Sequence, residues 1–385
     1  MKLTVYTRSL RLHAQARGKL QVKPLVPLKT QEDLSLAYTP GVAEPCRKIA
    51  QNPGKIYTYT RKWNTVAVVT DGSAVLGLGD IGAAAALPVM EGKAILFKEF
   101  GGVDAIPVCI NTRDVSEIVR TVVLISPGFG GINLEDISSP RCFQIEELLK
   151  EQLSLPIFHD DQHGTAVVVL AGLLNALCLV GKKLSEVKIV VCGAGAAGIA
   201  IVRFLHRSGA RKMILCDRQG IVYQGRPENM NPAKESVCEF LMNQRGTLAE
   251  ALQKADVFIG VSAPGLVTSE MIKSMNKEAI VFAMSNPVPE IMPDEAKKAG
   301  AAVIGTGRSD LPNQINNLLA FPGIFRGALD ARAPEITEKM KKAASQAIAG
   351  CVPRRKLSSD FIVPSPLDKK VAQAVARAVY QAAKE

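Results

Sequence analysis

The sequence predicts an α/β protein in which a smaller N-terminal α/β domain precedes a C-terminal doubly wound parallel sheet. Three observations carry this. From Val187 onward, short buried runs alternate with helical stretches, the pattern of parallel strands joined by crossover helices. KIVVCGAGAAG at 188–198 joins a buried strand to a helix through a tight glycine turn. Residues 162–181 form one long apolar stretch ending at Gly181, a helix suited to bridging two domains. The division therefore falls between 1–161 and 162–385.

Taken in order, the chain predicts a helix over 7–18, a loop at TPG (39–41) and a strand at TVAVVT (65–70). A glycine-rich turn, a helix near 82–92, and strands at 94–97 and around 106–110 follow. Thr121–Ile125 and Leu155–Phe158 also read as strand-like. In the second domain the strands are 188–192, MILCD (213–217), DVFIGV (256–261), AIVFAM (279–284) and AVIG (302–305). An Ala/Val-rich helix closes the chain after Pro366.

At 385 residues, with 47% hydrophobic and 22% charged residues, the chain has the composition of a globular protein with room for two buried cores. Its net charge of +11 is spread along the sequence, and 5% aromatics offers few stacking platforms, which argues against nucleic acid as a partner. The basicity reads instead as a pull on small anions. Eight cysteines without a C-x-x-C pair sit mostly in apolar runs and fit a reducing, cytoplasmic setting. No apolar run is read as reaching the roughly 18–20 residues that span a bilayer, so no membrane partner is expected. Seven basic residues between Lys2 and Lys29 faintly resemble a presequence, but site residues begin too early to leave much to remove.

Two short acidic patches are the most informative feature. NLEDI (133–137) and FHDDQHGTA (158–166) supply Glu135, Asp136 and Asp161, three carboxylates that suit one Mg²⁺ or Mn²⁺ ion and leave positions free for substrate oxygens. Such pairs also occur as solvated turn residues, but here they follow strand-like stretches, where sites form. His159 and His163 add an H-x-x-x-H pattern that would suit zinc, yet the acids favour the harder ions.

G-x-G-x-x-G occurs twice, and context separates the two copies. In the second, Gly193, Ala194, Gly195, Ala196, Ala197 and Gly198 follow a strand and open a helix, so backbone amides face a pyrophosphate. Asp217 ends the next strand nineteen residues past Gly198, where a carboxylate holds a ribose diol. This is a Rossmann-type site for a nicotinamide cofactor. Asp217 predicts NAD, and Arg218 beside it leaves NADP open. The first copy, GLGDIG (77–82), lacks that context, and Asp80 would repel phosphate; it reads as a turn that lets substrate approach the backbone.

Together, LAYTPGVAEPC (36–46), DGSAVLGLGDIG (71–82), MEGKA (90–94), NLEDI, FHDDQHGTA, GAGAAG, SNPVPE (285–290) and NNLLAFPG (316–323) closely resemble the malic enzymes, most of all their short prokaryotic form. The resemblance implies metal-dependent oxidative decarboxylation of L-malate to pyruvate and CO₂ with reduction of NAD or NADP, in a homodimer. It implies Glu135, Asp136 and Asp161 as metal ligands, Lys93 as general base with Asp160 beside it, and Tyr38 as general acid. Asn286 and Asn317 become substrate residues, with Asn286 also near the cofactor. For Lys93 to act as a base near neutrality, burial beside cationic charge must lower its pKa. Where larger relatives carry an arginine for a malate carboxylate this chain has Ala74; Ser73, the amides of the 77–82 turn, and Arg308 are the substitutes considered. A malolactic enzyme, which keeps its cofactor and releases lactate, is the near alternative. A non-catalytic dinucleotide-binding sensor is the remote one.

Overall fold

The computed structural model describes residues 4–75 and 77–385; Lys2, counted above, and Leu76 of DGSAVLGLGDIG lie outside the described residues. Two sheets organise the chain. The first has strand order β2-β1-β3-β4, all parallel, with β1 Thr65–Thr70, β2 Asp104–Cys109, β3 Gly131–Leu134 and β4 Ile157–His159. β1 is buried along its length, as a β-branched strand flanked on both sides should be. The second sheet has order β10-β9-β8-β5-β6-β7: β5 Lys188–Cys192, β6 Lys212–Asp217, β7 Gly220–Ile221, β8 Val257–Gly260, β9 Ala279–Ala283 and β10 Ala301–Thr306. Only the short β7 runs antiparallel. With β5 central and helices between the strands, this is the doubly wound sheet that the sequence predicts.

Three expectations for the first half are corrected. Residues 94–97 form no strand but lie in the helix Ala83–Gly101, whose buried positions Ala86, Met90, Ala94, Phe97 and Gly101 recur at helical spacing. The four apolar residues AILF hid that longer period. Thr121–Ile125 ends the helix Val115–Ile125, which Asp114 caps by accepting a hydrogen bond from the Glu117 N–H at 2.8 Å. The strand that delivers Glu135 is β3, four residues starting on glycine and too short to stand out.

The bridging helix begins earlier than expected. A π turn, Asp160–Gly164, continues directly into the helix Thr165–Val180, which Gly181 terminates in the left-handed conformation. By length and composition this 21-residue unit passes as a membrane span, against the sequence expectation, its most apolar stretch having a mean hydropathy of 2.0; 61% of that stretch is buried inside the protein, as in a core helix. Helices from the end of the chain return to the first sheet. Phe97 meets the rings of Phe321 and Phe325 at centroid distances of 4.7 and 5.2 Å, and Phe158 meets Phe325 at 5.9 Å.

The N-terminal segment differs in kind. Its helices Val5–Ala16, Gln31–Ala37 and Ala43–Gln51 contain no buried residue. Tyr6, Leu10, Val22, Leu25 and Leu36 all stand exposed, an unusual density of apolar surface for one segment.

Candidate active site

β3 and β4 are parallel neighbours, so the residues just past their ends meet. Glu135 and Asp136 follow β3, and Asp161 follows β4 by two residues. One oxygen from each carboxylate lies within 4.8 Å of the others. Asp136 adopts a left-handed backbone, with φ of 53°. Its N–H donates to Asp161 Oδ2 at 2.9 Å, and its carbonyl accepts from the Ala74 N–H at 2.9 Å, tying the acids to the 72–82 turn. Asn133 Nδ2 donates to Glu135 Oε2 at 2.8 Å.

This arrangement is short of positive charge. Burial, reinforced by the neighbouring carboxylates, pushes Asp136 up to about 9 and Asp161 up to about 6, and raises Glu135 as well despite Lys93 beside it. Asp136 Oδ2 has no hydrogen-bond partner although it is buried. Converging oxygen donors with an unmet demand for a cation fit a hard divalent ion, and Glu135, Asp136 and Asp161 are the residues that would hold it.

Lys93, on the helix Ala83–Gly101, reaches the same acids. Its Nζ lies 2.5 Å from Asp160 Oδ2 and 2.8 Å from Glu135 Oε1, and 4.2 Å from the centre of the Phe321 ring. Burial alone lowers Lys93, but the attraction of Asp160 and Glu135 overcomes it and holds the ammonium above its usual value. The sequence expectation assumed cationic neighbours; the protein atoms supply anionic ones. Asn317 Nδ2 donates to the Asp160 carbonyl at 3.2 Å and to its Oδ2 at 3.1 Å, and Thr165 Oγ1 donates to Asn317 Oδ1 at 3.2 Å. Gly164 makes the π turn tight enough for this, since a Cβ there would sit 1.9 Å from Asp160 Oδ1.

Lys93, Glu135, Asp136, Asp161, Asn286 and Asn317 line one cavity of about 1190 Å³, together with Gly77 of the GLGDIG turn and Ala197 of the second glycine loop. Three expected residues stand apart. Tyr38, the last position of its helix's cap, is 66% exposed and does not line the cavity. Ser73 is buried, its hydroxyl donating to Asp71 Oδ1 at 2.5 Å and accepting from the Ser138 N–H and Arg141 Nη2 at 2.9 and 3.0 Å, so it braces the turn. Arg308 is engaged by Asp310 at 2.7 Å. The two histidines do not share a site either. His163 Nε2 lies 2.7 Å from Glu146 Oε1 and its Nδ1 lies 3.2 Å from Lys341 Nζ, whereas His159 is fully buried without a hydrogen bond to either ring nitrogen, its Nδ1 lying 3.7 Å from Asp161 Oδ2.

The second glycine loop, the candidate nucleotide loop, follows β5. Gly195 caps the helix Ala196–Ser208, and Gly198 packs so closely that a Cβ there would fall 1.7 Å from the Gly193 carbonyl oxygen. Gly198→Ala is therefore expected to displace the loop and raise the KM for dinucleotide at least tenfold. Mn²⁺ binding, measured by titration, should stay unchanged; an unaltered dinucleotide KM would remove the loop from this role.

Asp217 ends β6 as expected, but its partners were not foreseen. It pairs with Arg226, with Lys234 Nζ at 2.6 Å and with Asn229 Nδ2 at 2.9 Å, while Arg218 is exposed. Burial opposes ionisation of Asp217, but the bonds from Arg226 and Lys234 prevail and hold it down at about 2. Two further acids escaped the sequence reading. Buried Asp71 anchors Arg141 at 3.0 Å behind the 72–82 turn. Buried Glu290 accepts from the Ser262 and Ser285 N–H groups at 2.8 and 3.0 Å, pinning two loops that line the cavity. Nothing in their spacing marks either one.

Comparison with known proteins shows the family. Residues 17–150 match the family described as malic enzyme, N-terminal domain, and residues 162–384 match malic enzyme, NAD binding domain. The chain is 58% identical over 385 residues to a bifunctional malic/malolactic enzyme of Bacillus subtilis, covering 100% of this chain and 94% of the relative. It is 55% identical over 368 residues to an NAD-dependent malic enzyme of Geobacillus stearothermophilus, covering 95% of this chain and 77% of that one. Among solved structures, the malic enzyme of Pyrococcus horikoshii is similar with a TM-score of 0.93 and 50% identity, over 99% of this chain and 91% of that chain. The NAD-dependent malic enzyme of Thermotoga maritima is similar with a TM-score of 0.94 and 48% identity, over 97% and 98% of the two chains.

Proposed function

Since the chain belongs to the malic enzyme family, we propose that the cavity between its two sheets is where L-malate is oxidised and decarboxylated. The activity is that of an NAD(P)-dependent malic enzyme: malate gives pyruvate and CO₂, NAD or NADP is reduced, and Mg²⁺ or Mn²⁺ is required. The observation that carries the assignment of residues is the convergence of Glu135, Asp136, Asp161 and the Lys93–Asp160 pair in a cavity that the glycine loop also lines.

A divalent ion held by Glu135, Asp136 and Asp161 would supply Lewis acidity at the substrate C2 oxygen and offset the negative charge that holds Lys93 protonated, and a dinucleotide held by the 193–198 loop would supply the hydride acceptor. Lys93 then takes the C2 hydroxyl proton. Asp160, held by Asn317, keeps the lysine amine aimed into the cavity. Asn286 and Asn317 offer amides to the substrate carboxylates. Once CO₂ has left, Tyr38 returns a proton to C3. A malate assay with NAD and NADP in parallel, with and without Mn²⁺, tests the reading: reduced cofactor should accumulate only with metal. Lactate without accumulated cofactor would support the malolactic alternative, which the name of the Bacillus subtilis relative makes worth measuring. Asp217, held ionised at the end of β6, can accept from a ribose diol and makes NAD the expected better cofactor, while Arg226 and Lys234 beside it offset its charge and leave NADP usable.

Tyr38 stands outside its own chain's cavity, and the N-terminal segment that bears it is rich in exposed apolar side chains. This supports a homodimer in which Tyr38 of one copy completes the cavity of the other; within each copy we assign residues 1–161 to the substrate and metal domain and 162–385 to the cofactor domain. Mixing inactive Tyr38→Phe and Asp161→Ala subunits should then restore partial activity. A monomer by light scattering, or no recovery after subunit exchange, would count against sharing.

A further inference from the structure

Malate carries two carboxylates into a cavity already lined by acids. Only two side chains lining it among the described residues carry a full positive charge, Lys93 and Lys19. Lys93 is held between Glu135 and Asp160. Lys19 is not so engaged.

Lys19 follows the N-terminal helix Val5–Ala16 and lies over the helix that carries Lys93. Its backbone N–H donates to Glu91 Oε2 at 3.1 Å, which fixes the segment in place. Its ammonium donates to the Pro88 carbonyl oxygen at 2.6 Å. It also lies 2.8 Å from His13 Nε2, while His13 Nδ1 lies 2.8 Å from the Ser9 carbonyl oxygen. A carbonyl only accepts, so Nδ1 carries the imidazole proton and Nε2 is the acceptor for the lysine. Two of the three ammonium donors thus meet neutral acceptors, and no carboxylate lies within ion-pair distance of the third among the described residues. His13 and Ser9 line the cavity with it.

We propose that Lys19, oriented by His13 and the Pro88 carbonyl, binds the carboxylate of malate that is retained in pyruvate. The retained group is the one favoured on chemical grounds, because a cation fixed on the departing carboxylate would oppose the flow of its charge into the C–C bond as CO₂ forms. The inference rests on malate binding in this cavity, as proposed above. Ser73 and Arg308 are committed elsewhere, which leaves Lys19 as the cation lining the cavity that has no carboxylate within ion-pair distance among the described residues.

The test uses the full-length protein with Lys19→Met, which keeps the apolar stem but removes the charge, and Lys19→Arg, which keeps the charge. A hydrogen bond to a charged group is worth about 1.5–3 kcal/mol, so Lys19→Met should raise KM for malate, and for pyruvate in the reverse direction, by roughly tenfold to a hundredfold. kcat and KM for dinucleotide should stay within about twofold, and Lys19→Arg should recover most of the loss. A malate KM unchanged in Lys19→Met overturns the proposal. So does a dinucleotide KM that rises in parallel, which would mean that the lysine only docks the N-terminal segment. If the unaltered protein turns over no malate at all, the reading of the cavity fails instead, and the two failures are told apart by that control.

Discussion

Asp161→Ala is expected to lose malate-dependent cofactor reduction entirely at limiting Mn²⁺, and Asp136→Asn to do nearly the same. Both acids converge on the same small space, and their surroundings oppose the ionisation of each. Their raised values fix the sign of a second effect. A carboxyl whose folded value lies above its unfolded value favours the folded state fully only below the unfolded value, about 4 for aspartate, and that stability is lost as pH rises through the folded one. Asp136 at about 9 and Asp161 at about 6 therefore destabilise the metal-free protein progressively between mildly acid and alkaline pH. A cation relieves the repulsion. The rise in Tm on adding Mn²⁺ should be small near the acid end of this window and largest at the alkaline end. Asp136→Asn should stabilise the metal-free protein at alkaline pH while abolishing most of the Mn²⁺ shift. An Mn²⁺ shift that survives in this variant would place the ion elsewhere.

Lys93→Ala is the second large effect. In the proposed mechanism the lysine is the base for the C2 hydroxyl, and as an ammonium it compensates Glu135 and Asp160, so its removal costs that proton acceptor and leaves two buried acids closer to full repulsion. The usual worth of a general base gives a fall of roughly 10²–10⁴ in kcat. Tyr38→Phe separates the two proton transfers. It should exchange the methyl protons of pyruvate with D₂O poorly, yet still reduce an added 2-oxo acid at a measurable rate, because Lys93 and the metal carboxylates are intact. Normal methyl exchange in Tyr38→Phe would take the tyrosine out of its assigned step.

The second sheet was legible because its strands are buried on both faces and stand out as apolar runs, and because GAGAAG marks the turn where β5 ends. The first sheet was less so. β3 is four residues long and begins on glycine, while AILF inside the helix Ala83–Gly101 imitates a strand when read without its neighbours. Acidic pairs close together in sequence were found readily, since β3 and β4 hand them over side by side. What sequence reading missed were partners that come from other elements. Arg226 and Lys234 reach back to Asp217, Glu290 spans two loops, and Lys19 arrives from a segment with no buried helix. Spacing carries no trace of such meetings, because the tertiary fold alone sets them. The direction of the Lys93 shift failed for a related reason: it depends on whether acids or cations surround the amine.

The continuous run from β4 through the π turn into the helix Thr165–Val180 limits how this protein can be recombined. Asp160 and Asp161 sit at the start of this helical rod, whereas Glu135 and Asp136 follow β3, the strand paired with β4. A chimera that exchanges the cofactor half at the start of this rod would import a foreign pair of acids and split the ligand set between two parents. Joining the parents after Gly181 keeps all three carboxylates and Lys93 from one source. Crossover libraries should accordingly yield active hybrids with seams beyond residue 181 and inactive ones with seams between residues 137 and 160, wherever the second parent's acids differ in reach.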